Sequence, residues 1–211
     1  MATKAMAISE PTNGAKATVE FDLPYIAIVT IEGTADLLLH AWNCEYVEAK
    51  GKAKKGSEAK KTDDLKSYVK RNDKEQICLP GEYLRMSVIN AAKFRQDPRS
   101  PRKSAMDLYK AAIVTLDPVC PITNVAGELP KVWDYEHKCR VQIQRNGITR
   151  IRPAFKEGWK VVVPIMVNLP EYVSPKDLHE TLMMAGRVIG VGDFRPTYGR
   201  FRVTKFEIQS D

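Results

Sequence analysis

Residues 17–33, ATVEFDLPYIAIVTIEG, are rich in β-branched side chains and end in a run of period two. Residues 25–32 are read from it as a buried strand that stops at Gly33. LPGEYLRMSVINAAKF, residues 79–94, places Leu84, Val88, Ala91 and Ala92 at helical spacing and predicts an amphipathic helix. Pro98 and Pro101 forbid its continuation. AAIVTLDP, residues 111–118, reads as a short buried strand ended by Pro118. CRVQIQRNGITRIRP, residues 139–153, is the clearest local signal. Asn146-Gly147 supplies the two positive-φ positions of a type I′ turn, pairing Ile143 with Arg150 and Val141 with Arg152.

WKVVVPIMVN, residues 159–168, is a strongly apolar strand in which Pro164 suggests an edge or a bulge. Next, Ser174 is an N-cap, Pro175 takes the first helical position and Asp177 suits the positive end of the dipole. Leu178, Leu182, Ala185 and Ile189 form the inner face of that helix, and Gly190 can close it. RFRVTKFEI, residues 200–208, is a strand with Phe201 and Val203 on one face and Arg202, Thr204, Phe206 and Ile208 on the other. Phe94, Met183 and Met184 are assigned to the core. The order strand, helix, strand, strand, helix, strand is the split βαβ arrangement, an α+β fold with a ferredoxin-like core.

Two stretches interrupt that order. Between Glu48 and Glu75 ten Lys/Arg face six Asp/Glu with almost nothing apolar. Such a stretch cannot bury enough surface to offset its ordering entropy, so residues 44–77 are expected to form a mobile basic insertion. It is either a solvated loop or an arm that orders on nucleic acid. The second interruption, residues 119–157, contains the Asn-Gly hairpin. Residues 1–16 read as a flexible tail, and 17–211 as one domain.

The formal charge is +7, with 33 Lys/Arg against 26 Asp/Glu, which favours polyanionic partners. Four separated cysteines, with no Cys-x-x-Cys pair, suit a reducing compartment, and the cytoplasm is the expected location. No continuous apolar segment indicates a signal peptide or a membrane span. Three histidines are scattered, and no Ser-His-Asp order, carboxylate pair or metal-ligand spacing emerges. No catalytic residue, metal or cofactor is therefore assigned.

The basic residues fall into three groups. One comprises Arg85, Lys93, Arg95, Arg99, Arg102 and Lys103, and a second comprises Arg140, Arg145, Arg150 and Arg152. The third lies in AGRVIGVGDFRPTYGRFRV, residues 185–203, where Gly190, Gly192 and Gly199 stand among Arg195, Tyr198 and Arg200. Glycine lets backbone N–H groups approach a ligand, arginine forks onto phosphate, and an aromatic ring stacks on a base. These glycines follow a helix and precede a strand, the reverse of a dinucleotide fingerprint.

The strand IAIVTIEGTADLLLH, the split βαβ order and the loop GVGDFRPTYGRF resemble the RAMP superfamily, the RRM-like RNA-binding proteins of CRISPR systems. The likeness is nearest to the backbone subunits, and it touches residues 20–40, 79–117 and 139–208. It implies a palm domain with a hairpin thumb at 119–157 that binds single-stranded RNA, polymerises along a guide and contacts other effector subunits. RNA-processing members of the superfamily use a histidine, for which His40 is the candidate here. An RNA endonuclease and a phage structural or assembly protein remain the alternatives, with DNA the other possible strand.

Overall fold

The computed structural model describes residues 23–52, 64–143 and 146–209. The expected N-terminal tail, residues 53–63 of the lysine-rich run and Arg145 lie outside the described residues.

The fold is α+β, built on antiparallel sheets. Strand β1 (Tyr25–Gly33) alternates buried and half-buried residues along its length, as period two requires when one face meets a core. It pairs on one side with β11 (Lys160–Val167) and on the other with β12 (Phe201–Gln209). Strand β7 (Ile113–Thr115) pairs with the far end of β11, and β8 (Val119–Thr123) with its near end. Strands β4 (Ile77–Pro80) and β3 (Lys70–Arg71) extend the sheet beyond β8. Helix α2 (Gly81–Ala91) and helix α4 (Pro175–Val188) pack on one face. There Leu84, Val88, Leu178, Leu182 and Ala185 meet Ala27, Val29, Val163 and Ile165, all fully buried. At about 25 cal/mol per Å² of apolar area, this shared surface is the main source of stability.

Pro164 lies in a central strand, not at an edge. Its carbonyl accepts from Leu116 N at 3.1 Å, so its nitrogen also faces that flank. That flank passes from β8, opposite residues 160–161, to β7, opposite residues 165–167. The missing donor therefore falls in the gap and breaks no ladder. In β12 the strict alternation fails for a similar local reason. Register shifts between Thr30↔Lys205 and Ile31↔Val203, and the bulge at Thr204 turns Phe206 onto the side of Phe201 and Val203 against the core.

Helix α4 begins as its sequence indicates: Ser174 Oγ accepts from Asp177 N at 3.2 Å, with Pro175 in the first turn. It ends at Gly190, where φ is 77° and the N–H reaches Ala185 O at 2.8 Å.

A second sheet joins β2 (Leu37–Leu38), β10 (Asn146–Phe155) and β9 (Tyr135–Ile143). The β9–β10 pair is the hairpin, but its register differs from the expected one. Ile143 pairs with Asn146, Cys139 with Arg150 and His137 with Arg152, so Asn146 and Gly147 belong to the strand. Ala154 and Phe155, fully buried, pair with Leu38 and Leu37 and fix the register from the base.

The described parts of the 44–77 segment carry regular structure. Cys44–Lys52 form helix α1, and Tyr68 and Val69 are buried after a 3-10 turn at Leu65–Tyr68. Those two residues supply apolar area that the charge count conceals. The remaining elements are β5 (Gln96–Asp97) and β6 (Ser100–Ser104), which form a short ribbon, and α3 (Met106–Ala112), which leads into β7. No helix among the described residues is long and apolar enough to cross a membrane.

Candidate nucleic-acid interface

The chain between α4 and β12 folds back on β2. Asp193 N donates to Leu38 O at 2.8 Å, Val191 N to Gly199 O at 2.8 Å and Gly199 N to Asp36 O at 2.7 Å. A Cβ on Gly199 would run into the carbonyl of Val191, and one on Gly192 would lie 2.5 Å from Leu38 O. Both have positive φ. These glycines thus allow close approach to the protein's own backbone, and the amides of Gly190 and Gly199 are spent inside the fold. The loop is a preformed platform on which side chains, rather than backbone donors, face outward.

Asp36 ties this platform to the hairpin. Its carboxylate accepts from the Tyr135 hydroxyl at 2.5 Å and from Glu157 N at 2.9 Å, while its carbonyl holds Gly199. Burial first, and then that hydrogen bond, push the Tyr135 hydroxyl well above its ordinary range and keep it a donor. His137 on β9 lies 4.9 Å, centroid to centroid, from Tyr198 of the loop. A second tie joins Arg152 of β10 to Asp193, Nε to Oδ2 at 2.7 Å. The Arg152 guanidinium is 5.1 Å from the Tyr68 ring and 5.8 Å from that of Phe194, and the residue is only 5% exposed. His40 Nδ1 approaches the same carboxylate at 3.6 Å, and its ring meets Tyr68 edge-on.

The basic residues singled out in the sequence divide sharply. Four arginines are committed to partners within the fold. Arg85 donates to the carbonyls of Ile113 and Lys110, at 2.7 and 2.8 Å, and to Glu82 at 2.8 Å. Arg95 forks between Asp177 at 2.6 Å and Glu180 at 3.0 Å. Arg99 holds both oxygens of Asp97, at 3.0 and 2.8 Å. Arg152 is committed to Asp193 and to Ile151 O at 2.9 Å. Sequence spacing places these residues in basic clusters, but each is already held by a carboxylate of the fold.

Arg195 and Arg200 on the loop are exposed and make no side-chain hydrogen bond or ion pair among the described residues. The same is true of Arg102 and Lys103 on the β5–β6 ribbon and of Arg140 on the outer side of β9. Arg150 is half-buried opposite Cys139. Lys93 sits 4.8 Å above the ring of Phe94. Phe94 and Met183, expected in the core, are 59% and 54% exposed, whereas Met184 packs against it. Trp42 is also exposed, at 68%, and sequence reasoning passed over it. Its neighbours His40 and Asn43 are the only local hint of a surface position.

Lys93 and Arg195 meet across a groove of about 460 Å³ between the ends of α2 and α4 and the loop. No group of three or more His, Cys, Asp or Glu among the described residues could hold a metal. Cys120 packs in the core at 1% exposure, and that burial pushes its thiol up to about 12.

No family model matches the chain, and no curated protein matches it. Among solved structures it is similar to a chain of "Cryo-EM structure of the Type III-B Cmr-beta bound to cognate target RNA". The identity is 9% and the TM-score 0.48, with 89% of this chain covered. The match spans 61% of that chain, so this protein corresponds to about three fifths of its length.

Proposed function

We propose that the chain binds single-stranded nucleic acid, specifically a guide RNA. In this reading it assembles along the strand with copies of itself and other subunits, as a RAMP-type component of a cytoplasmic CRISPR ribonucleoprotein. The strand order β12-β1-β11-β7, with α2 and α4 in the two crossovers, supports a ferredoxin-like, RRM-like palm. The hairpin that springs from β2 is its thumb.

One observation carries the reading. The glycine-rich loop, with exposed Arg195 and Arg200 and the ring of Tyr198 against His137, is bonded to the base of the hairpin, so uncommitted guanidinium groups stand on a fixed platform that also presents an aromatic ring. Guanidinium suits bidentate phosphate contact, and a ring suits base stacking.

Protein purified from cells under native conditions tests it. A co-purifying single-stranded RNA of defined length is the expected result. Regular assemblies free of nucleic acid, with no affinity for added RNA, contradict it and favour a structural assembly protein.

A second reading, an RNA-processing endonuclease, draws on the His40 imidazole beside Asp193. Cleavage of a hairpin RNA that disappears in His40→Ala would favour it over binding alone.

A further inference from the structure

The groove between the helix ends and the loop has a chemistry of its own. Two cations, Lys93 and Arg195, line it, and its one carboxylate, Asp193, is already answered from within. Asp193 Oδ2 accepts from Arg152 Nε at 2.7 Å and Oδ1 from Phe194 N at 2.9 Å. The groove therefore presents net positive charge despite an acidic residue in its wall. Its floor includes half-buried Ile189 and the bare backbone of Gly192. At the opposite wall, Asn90 donates one amide hydrogen to Met86 O at 2.8 Å, leaving its second hydrogen and its oxygen for another group. A peptide would need a ladder of backbone partners, and a lipid chain would find too many charges. A floor of one aliphatic side chain and bare backbone, with an amide at one side and two cations in the wall, matches a planar heterocycle carrying a phosphate, and the volume falls in the range of small-ligand sites.

We propose that this groove holds one nucleotide of the bound strand. The base lies on Ile189 and Gly192 with its edge at the Asn90 amide, and the phosphate bridges Lys93 and Arg195. The inference rests on strand binding as proposed above and assigns one subsite within it. The helix side of the molecule, and not only the loop and hairpin, then touches the strand, and the bound base is turned out of its stack.

Photo-cross-linking of the full chain to a short single-stranded RNA containing 5-bromouridine tests this, with the attachment site read by mass spectrometry. Expected are cross-links within residues 90–94 or 189–195. In Asn90→Ala with Lys93→Gln these cross-links are lost and affinity falls roughly ten- to hundredfold, while hairpin cross-links persist. The single variant Lys93→Gln, on an exposed residue, gives the same direction if the pair folds poorly. Retained binding with cross-links confined to the hairpin, or unchanged affinity in both variants, overturns the subsite while leaving strand binding intact. Absence of any RNA affinity in the unaltered protein overturns both.

Discussion

The two ends of α4 carry similar numbers of arginines and use them in opposite ways. At its N-terminal end Arg95 is forked onto Asp177 and Glu180, and beyond it Arg99 is locked on Asp97 in the neighbouring ribbon. At its C-terminal end Arg195 and Arg200 stand in solvent on a loop whose backbone is pinned to β2. A guanidinium already chelated by a carboxylate must break that pair before it takes a phosphate, so the locked end contributes to the fold, and the open end is the one with guanidinium groups free for the proposed strand. A net charge of +7 therefore overstates the charge of some clusters and understates how concentrated the usable charge is. Arg152 joins the two roles, since it is buried and committed, yet it holds Asp193 and with it the platform that displays Arg195.

The first way to break this comparison is Arg152→Ala. It strips a buried partner from Asp193 and should cost about 3 kcal/mol, the low end for a broken buried pair because the carboxylate keeps some water. Urea unfolding measures it, and a loss under about 1 kcal/mol would mean that the platform is held by other contacts. Gly199→Ala should cost about 2 kcal/mol, because its φ of 70° and the Val191 carbonyl both oppose a side chain. Arg95→Ala sharpens the contrast: it should lower stability by about 1 kcal/mol or less and leave RNA affinity within about twofold.

The smallest effect is one of pH. The side-chain hydrogen bond from Arg99 holds the Asp97 carboxyl at about 2, below its usual 3.8. A depressed native value means that the unfolded chain binds the proton first. The contribution of the pair is complete above the usual value and fades as the pH falls through about 2. Asp97→Asn should flatten the acid limb of stability between those values, measured by circular dichroism, whereas Arg195→Ala should leave it unchanged.

Much of the fold was legible in the chain, for identifiable reasons. Strands β1 and β11 and helices α2 and α4 are long, periodic and bounded by capping or breaking residues, so local signals agree with burial. The hairpin was legible in existence but not in register. Turn chemistry at Asn146-Gly147 is a local preference, while buried Ala154 and Phe155 against β2 make a non-local demand that prevails. Phe206 changed faces through a bulge at Thr204 that no residue type announces. The candidate site was legible in composition but not in commitment. Arg95 meets its carboxylates 82 and 85 residues away, and Arg152 meets Asp193 across 41. The glycines of the loop were visible, but whether they face a ligand or the protein's own backbone depends on β2, which contributes only two residues.

The most direct test is the salt dependence of binding to a single-stranded RNA, followed by fluorescence anisotropy. It compares the unaltered protein, Arg195→Ala/Arg200→Ala and Arg95→Ala/Arg99→Ala. Loss of two phosphate contacts should lower the slope of log K against log salt by about 1.4 in the loop variant, at roughly 0.7 per contact, and leave it unchanged in the other. Equal slopes in all three proteins, or a drop confined to the Arg95/Arg99 variant, would contradict the assignment of the open end as the surface that grips the strand.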